Sequence, residues 1–114
     1  MNHEELVANL KKDPEEIFLE LSHSSLDAMH MCLGLAGEAG EVVDVVKKHT
    51  MYNRALDRGA LVEELGDLEF YLEGLRQTFD ISREEVLEVN INKITKRYGD
   101  KYSNAAAINR ADKD

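Results

Sequence analysis

The sequence contains a single cysteine, Cys32, among its 114 residues. One cysteine cannot form an internal disulfide, and Cys32 has no cysteine neighbours at the spacing of a zinc site. These absences exclude a disulfide-bonded scaffold, a dithiol redox motif and a zinc finger.

A long apolar run and a basic N-terminus are also missing. No apolar stretch reaches the roughly 18 residues that a membrane-spanning helix requires. The first five residues, MNHEE, have neither the positive charge nor the apolar stretch of a signal peptide. We therefore expect a soluble, cytoplasmic protein that has no membrane partner.

Basic residues are scarce, since 14 Lys and Arg stand against 23 Asp and Glu, which gives a formal net charge of −9. Proteins that bind nucleic acid use an excess of cations to release counterions from the phosphate backbone. The acidic excess therefore argues against a nucleic-acid partner.

Helix breakers are few, with one proline and seven glycines, and no alternating apolar pattern is long enough to predict a strand. Four valines at positions 42, 43, 45 and 46 nearly encircle one predicted helix, so part of its surface should pack against another subunit. We predict an all-α protein: an antiparallel helical bundle of about four helices per protomer, completed by oligomerisation. It should be a single domain over residues 1–114, with a core at about 24–99 and a flexible or lid-like tail at 100–114.

Local signals place the ends of these helices. Asp13 followed by Pro14 is typical of a helix start, and Ser24 with Asp27 three residues later predicts the cap of a long second helix. Gly99 predicts the end of the last helix. The predicted segments are residues 14–21, 24–49, 60–79 and 82–98, with a loop over 50–59.

Carboxylates stand among apolar residues on the second and third predicted helices. On a wheel of about 100° per residue, Glu38 falls beside Met31 and two valines, and Glu41 follows one turn later. On the third helix Glu64 falls between apolar residues, with Asp67 at the edge of the same arc. Each helix thus presents a pair of acids three residues apart on one face.

Converging carboxylates in apolar surroundings repel one another and need protons, basic partners or metal ions. Oxygen donors without cysteine favour a hard cation, Mg²⁺ or Mn²⁺, over zinc. The alternative is that the acids form ion pairs that only stabilise the bundle. The cations available for such pairs are Lys47, Lys48, Arg54 and Arg58.

The fourth predicted helix carries a complementary set of polar residues. Asn90, Lys93 and Arg97 fall within about 60° of one another on the wheel, apart from the apolar stripe of that helix. Two cations and an amide on one stripe suit phosphate binding near a metal site, although a solvated helix face would have the same composition.

Three segments follow one another in a characteristic order: GLAGEAGEVVDVVKK at residues 34–48, EELGDLEFYL at 63–72 and NINKITKRY at 90–98. They contain E-x-x-E, a spacer, E-x-x-D, and then N-x-x-K-x-x-x-R-Y. This order resembles that of the all-α nucleoside triphosphate pyrophosphohydrolases of MazG type, and the similarity runs over about residues 30–110.

The resemblance implies an enzyme that cleaves an NTP or dNTP between the α- and β-phosphates, and that forms homodimers or homotetramers. Glu38 and Glu41 are the candidates for the catalytic base. The Mg²⁺ ligands implied by the resemblance, with Mn²⁺ as a substitute, are Glu38, Glu41, Glu64 and Asp67. The implied triphosphate-binding residues are Lys48, Asn90, Lys93 and Arg97.

Two other interpretations stay open. Phosphoribosyl-ATP pyrophosphohydrolase resembles these enzymes in fold and carboxylate site, and only its substrate separates it. A non-catalytic acidic helical oligomer would carry the same acids in salt bridges and would not bind Mg²⁺.

Overall fold

The computed structural model of the protein describes residues 1–99 and 101–110. Within these residues the chain is helical, with no strand, and the prediction of an all-α fold is confirmed. The six helices are α1 (His3–Leu10), α2 (Pro14–Glu20), α3 (His23–Thr50), α4 (Arg58–Thr78), α5 (Arg83–Tyr98) and α6 (Asn104–Asn109). None of the described helices is both long and apolar enough to cross a membrane.

The N-terminal part contains one helix that the sequence analysis did not predict. Helix α1 begins with a capping box, in which Asn2 accepts from the backbone N–H of Glu5 and the Glu5 carboxylate accepts from that of Asn2. Helix α2 begins at Pro14 after the cap Asp13, as predicted.

Helix α3 begins before the predicted cap. Ser22, rather than Ser24, caps it: the Ser22 hydroxyl accepts from the backbone N–H of Ser25, and the Ser25 hydroxyl accepts from that of Ser22. The prediction of Ser24 with Asp27 was wrong because Ser22 and Ser25 have the same spacing and satisfy each other's backbone groups. Helix α4 likewise begins at Arg58, because Asp57 caps it by accepting from the N–H of Ala60.

The C-terminal helices follow the predicted signals as far as Gly99. Ser82 caps α5 by accepting from the N–H of Glu85, and Gly99 ends it with a positive φ of 68°, a conformation that glycine adopts without a Cβ clash. The predicted tail contains the additional helix α6, while positions 100 and 111–114 of that tail lie outside the described residues.

Helices α3 and α4 form an antiparallel hairpin and pack along their lengths. At its open end the Thr78 hydroxyl donates to the carboxylate of Asp27. Further along the seam Met31 lies against Gly74, and Gly34 lies against Tyr71. These pairs define the register in which residues of α3 face those of α4.

Two glycines allow close contact at this seam. A Cβ at position 34 would overlap the ring of Tyr71, and one at position 74 would overlap the sulfur of Met31. The Tyr71 ring also meets the rings of His30 and Phe70 edge-on, at centroid distances of 6.5 and 5.2 Å. The missing side chain of Gly34 therefore sets how closely α4 approaches α3, because the Tyr71 ring that contacts it is itself held by His30 and Phe70.

The protomer as a whole is not compact. Among the described residues only Met31 is buried, and the radius of gyration is 19.7 Å, against about 13 Å for a compact domain of this length. Helix α5 packs chiefly against α6 rather than against the hairpin. The hairpin is thus the only extensively packed unit among the described residues.

Replacing Gly34 by alanine should destabilise the protein, because overpacking at the Tyr71 ring costs about 1–3 kcal/mol. The matched control is Gly37→Ala, where a Cβ meets nothing within 4 Å and the better helix propensity of alanine should stabilise by about 0.5–1 kcal/mol. Chemical unfolding followed by circular dichroism measures both. Equal midpoints, or a higher midpoint for Gly34→Ala, would contradict the assigned register.

Candidate metal centre

The hairpin register brings acids from both helices together, one turn beyond the contact of Gly34 with Tyr71. Carboxylate oxygens of Glu38 on α3 and of Glu64 and Asp67 on α4 all lie within 4.8 Å of one another. Glu38 and Glu64 are half-buried and Asp67 is exposed. Three of the four predicted metal ligands therefore share one site.

The charges of this cluster are not independent. Partial burial raises the pKa of Glu64 above its ordinary value, and a hydrogen bond with Glu38 raises it further. The negative charges of Glu38, Asp67 and Glu41 act in the same direction. The raised pKa means that Glu64 holds its proton to a higher pH than a solvated glutamate does.

No cation neutralises the cluster within residues 1–99 and 101–110. Lys48 pairs with Asp44 at 3.0 Å, and the ammonium of Lys47 lies 5.7 Å from the centroid of the Tyr52 ring. The described ion pairs include neither Glu38 nor Glu64 nor Asp67. The described residues therefore contain no cation that pairs with these three acids, as the salt-bridge explanation would require.

Glu41 occupies a different position from the other three acids. It is exposed and is not part of the group within 4.8 Å, yet its charge contributes to the raised pKa of Glu64. It lies one turn along α3 from Glu38 and so borders the cluster on the side toward Lys48.

A cavity of about 310 Å³ opens at the cluster and is lined by Glu38, Asp67, Phe70 and Tyr71. The two aromatic residues were not predicted as part of the site. Tyr71 follows Asp67 by one turn of α4, so its spacing would have placed it on the same face. Phe70 stays 66% exposed beside the acids, which gives the cavity one apolar wall.

The predicted phosphate-binding residues lie outside this cavity. Lys48 is on α3 beyond Glu41, with its side chain 59% exposed. Asn90 and Lys93 are exposed on α5, while Arg97 is half-buried with its guanidinium 5.8 Å from the centroid of the Tyr98 ring. In the protomer the α5 residues are therefore not part of the acid cluster.

The donor set fits a hard divalent cation. The cluster offers carboxylate oxygens alone, without histidine or cysteine, and such ligands suit Mg²⁺ or Mn²⁺. A bound cation would also offset the burial and the like charges that raise the pKa of Glu64.

The fold and the site together define an all-α protein in which three clustered carboxylates could hold a metal ion. Residues 27–101 match the MazG nucleotide pyrophosphohydrolase domain, and the chain belongs to this family. The matched segment contains Glu38, Glu41, Glu64 and Asp67.

A curated relative was also found in a phage. The Gene 37 protein of Mycobacterium phage L5 is 33% identical over 72 residues, which cover 60% of this chain and 63% of that protein. The match thus spans less than two thirds of the relative, whose name states no activity. No solved structure matches the chain.

The raised pKa of Glu64 predicts how stability depends on pH. Because the folded protein holds this proton more tightly than the unfolded chain, folding gains stability at low pH. That gain is lost as pH rises from the ordinary value of 4.5 through the raised folded-state pKa. In chelator, wild type should therefore lose melting temperature relative to Glu64→Gln as pH rises through this window, and Mg²⁺ should oppose the loss.

Melting temperature against pH, for both proteins with chelator and with Mg²⁺, provides the measurement. The difference between the two chelator curves reports the titration of Glu64 together with its effect on the neighbouring acids, since these groups interact. Parallel curves in chelator and no response of wild type to Mg²⁺ would mean that these acids are simply solvated.

Proposed function

We propose that this protein is a cytoplasmic, Mg²⁺-dependent pyrophosphohydrolase that cleaves an NTP or dNTP at the α–β phosphate bond to the monophosphate and pyrophosphate. The observation that carries the proposal is the group of Glu38, Glu64 and Asp67, whose oxygens lie within 4.8 Å of one another with no cation paired to them among the described residues. Membership of the MazG family supplies the reaction class.

In this proposal the four acids Glu38, Glu41, Glu64 and Asp67 hold Mg²⁺, with Mn²⁺ as a substitute. When bound, the cation offsets charge on the phosphate oxygens and lowers the pKa of water. Glu38 or Glu41 would accept the proton of the attacking water as the bond from water to the α-phosphorus forms. The bond from the α-phosphorus to the bridging oxygen would break at the same centre, and pyrophosphate would leave. Binding of the cation would lower the raised pKa of Glu64, because a metal ligand has to be deprotonated.

The same proposal assigns Lys48, Asn90, Lys93 and Arg97 to the triphosphate. Lys48 is close enough to Glu41 for the two charges to interact. The α5 residues stand on a helix that packs chiefly against α6. In this proposal, assembly of protomers brings an α5 helix beside the hairpin that holds the triphosphate. The assignment of the α5 residues therefore depends on the proposed oligomer.

Release of pyrophosphate tests the reaction directly. A panel of canonical and modified NTPs and dNTPs, with phosphoribosyl-ATP included, should give release from at least one nucleoside triphosphate in Mg²⁺ and none in chelator. Release from phosphoribosyl-ATP alone would replace the proposed substrate class, and calorimetry without Mg²⁺ or Mn²⁺ binding would support the non-catalytic oligomer.

Glu41→Gln should abolish turnover and leave the fold intact, because the amide keeps the volume of the side chain and loses the charge. The matched control is Glu69→Gln, an exposed acid on α4 that is outside the cluster. The control should release pyrophosphate at the wild-type rate. Wild-type turnover by Glu41→Gln would refute its place in the site.

We also propose that the protein is a homodimer or homotetramer. The chain exposes 9358 Å², whereas a compact monomer of 12.9 kDa exposes only about 6300 Å² by the usual size scaling. The excess is about 3,000 Å² per chain, or about 6,000 Å² for two chains, which is at least as large as the area of about 2,000–5,000 Å² that obligate homodimers bury in total. Burial of α3 residues such as Val43, which is 63% exposed, would provide the missing core.

Light scattering coupled to size exclusion should accordingly show a mass of two or four chains at micromolar concentration. Dilution should lower the melting temperature, because folding and association are coupled when the isolated protomer has little core. A cooperatively folded monomer with a concentration-independent melting temperature would refute the proposed assembly.

A further inference from the structure

A second recess lies at the closed end of the hairpin, beyond Glu41 on α3. It has a volume of about 210 Å³ between the last turns of α3, the following loop and the first turn of α4. Its lining residues are Val45, Lys48, Arg54, Ala55, Asp57 and Ala60. Two cations and one carboxylate thus line the recess together with three apolar residues, in a chain whose net charge is −9.

The loop that carries Arg54 is held in one conformation. Asn53 turns the chain with a φ of 51°, in the left-handed region that asparagine tolerates better than most residues. The Nδ1–H of His49 donates to the backbone oxygen of Arg54 at 2.6 Å, and Lys47 lies over the ring of Tyr52. These contacts tie the loop back to the end of α3.

The two acids near the recess are already engaged. Asp57 accepts from the backbone N–H of Ala60 at 3.0 Å, and Asp44 pairs with Lys48 at 3.0 Å. Arg54, by contrast, has neither an ion pair nor a side-chain hydrogen bond within residues 1–99 and 101–110. Its guanidinium is therefore available to an anion.

The recess is in line with the acid cluster. Lys48 follows Glu41 by seven residues, which is two turns of α3 on nearly the same face. Its side chain points back along the helix and reaches Asp44, which is only about 5 Å along the axis from Glu41. The pKa of Lys48 is raised, mainly by the hydrogen bond and charge of Asp44, and it also responds to Glu41 and Arg54, so Lys48 stands electrostatically between them.

The hairpin thus presents three acids that have no ion pair among the described residues. Arg54, whose guanidinium also has no ion pair among them, lines the recess at the closed end of the same hairpin. A ligand that satisfies both must carry anionic oxygens over more than one linked group, with one end able to share a cation with carboxylates. A polyphosphate has this chemistry, and a monophosphate does not extend far enough to engage both ends.

We propose that the recess of Lys48 and Arg54 binds the terminal phosphates of the substrate, the part that leaves as pyrophosphate. The proposal rests on the proposed function for the direction of cleavage. Arg54 would contribute bidentate, charge-assisted hydrogen bonds and would distinguish triphosphates from monophosphates. Lys48 would bind a phosphate oxygen either in place of Asp44 or in addition to it.

The test measures binding of pyrophosphate in Mg²⁺ by calorimetry to wild type, Arg54→Gln and Arg58→Gln. Arg58 is the matched control, because it is an exposed arginine at the start of α4 that does not line the recess. Loss of a charged hydrogen-bond donor should weaken pyrophosphate binding about tenfold in Arg54→Gln, with little change in Arg58→Gln. Arg54→Lys should recover part of the affinity, and binding of a deoxynucleoside monophosphate should be alike in all four proteins.

Equal pyrophosphate affinity in Arg54→Gln and Arg58→Gln would overturn the assignment, as would failure of wild type to bind pyrophosphate. An equal loss of monophosphate affinity in Arg54→Gln would overturn it too, because the guanidinium would then act at another part of the substrate. Circular dichroism checks that each variant is folded.

The outcomes also separate this inference from the proposed function. Pyrophosphate release by wild type together with unchanged pyrophosphate affinity in Arg54→Gln would remove the recess assignment alone. Binding of pyrophosphate through Arg54, without hydrolysis of any nucleotide in the panel, would remove the proposed enzyme activity and leave the recess assignment standing.

Discussion

Repulsion among three carboxylates at the seam of the α3–α4 hairpin is the constraint on which the rest of the structure depends. Glu38, Glu64 and Asp67 meet there because the register that seats Tyr71 on Gly34 brings the next turn of each helix into contact. Like charges at this separation oppose folding, and they raise the pKa of Glu64 together with its burial and its hydrogen bond to Glu38. The metal-free cluster therefore opposes folding once its acids are ionised, and its arrangement suits the binding of a cation.

Much of this arrangement could be predicted from the sequence. Helical periodicity places Glu64 and Asp67 within an apolar arc. Pro14, Ser82 and Gly99 mark helix ends through contacts within a few residues, so these ends form where the sequence predicts them. Where two such signals compete, sequence alone cannot decide between them. Ser22 prevails over Ser24 because its hydroxyl and that of Ser25 satisfy each other's backbone groups, a geometric outcome that spacing does not specify.

Other features of the site depend on contacts that have no periodicity. Arg54 faces its recess because Asn53 reverses the chain and His49 holds the Arg54 carbonyl, and neither effect can be recognised in the loop sequence. The stripe of Asn90 and Lys93 illustrates a second limit. A helical wheel shows that these residues share a face, but the direction in which that face points depends on where α5 leaves the hairpin and on what it packs against.

The large exposed apolar surface has the same physical origin as the separation of the acids on the hairpin from the predicted phosphate-binding residues on α5. A two-helix hairpin has only one seam, and this seam is occupied by close glycine contacts and by the acids. Val43 and Val46, on the other sides of α3, stay exposed among the described helices. Burying them requires additional helices, and in the proposed oligomer a second copy of the chain would provide such helices together with its own α5. Assembly that completes the core can therefore also bring cations on α5 toward acids on a hairpin, which would couple the stability of the fold to the ability to hold a triphosphate.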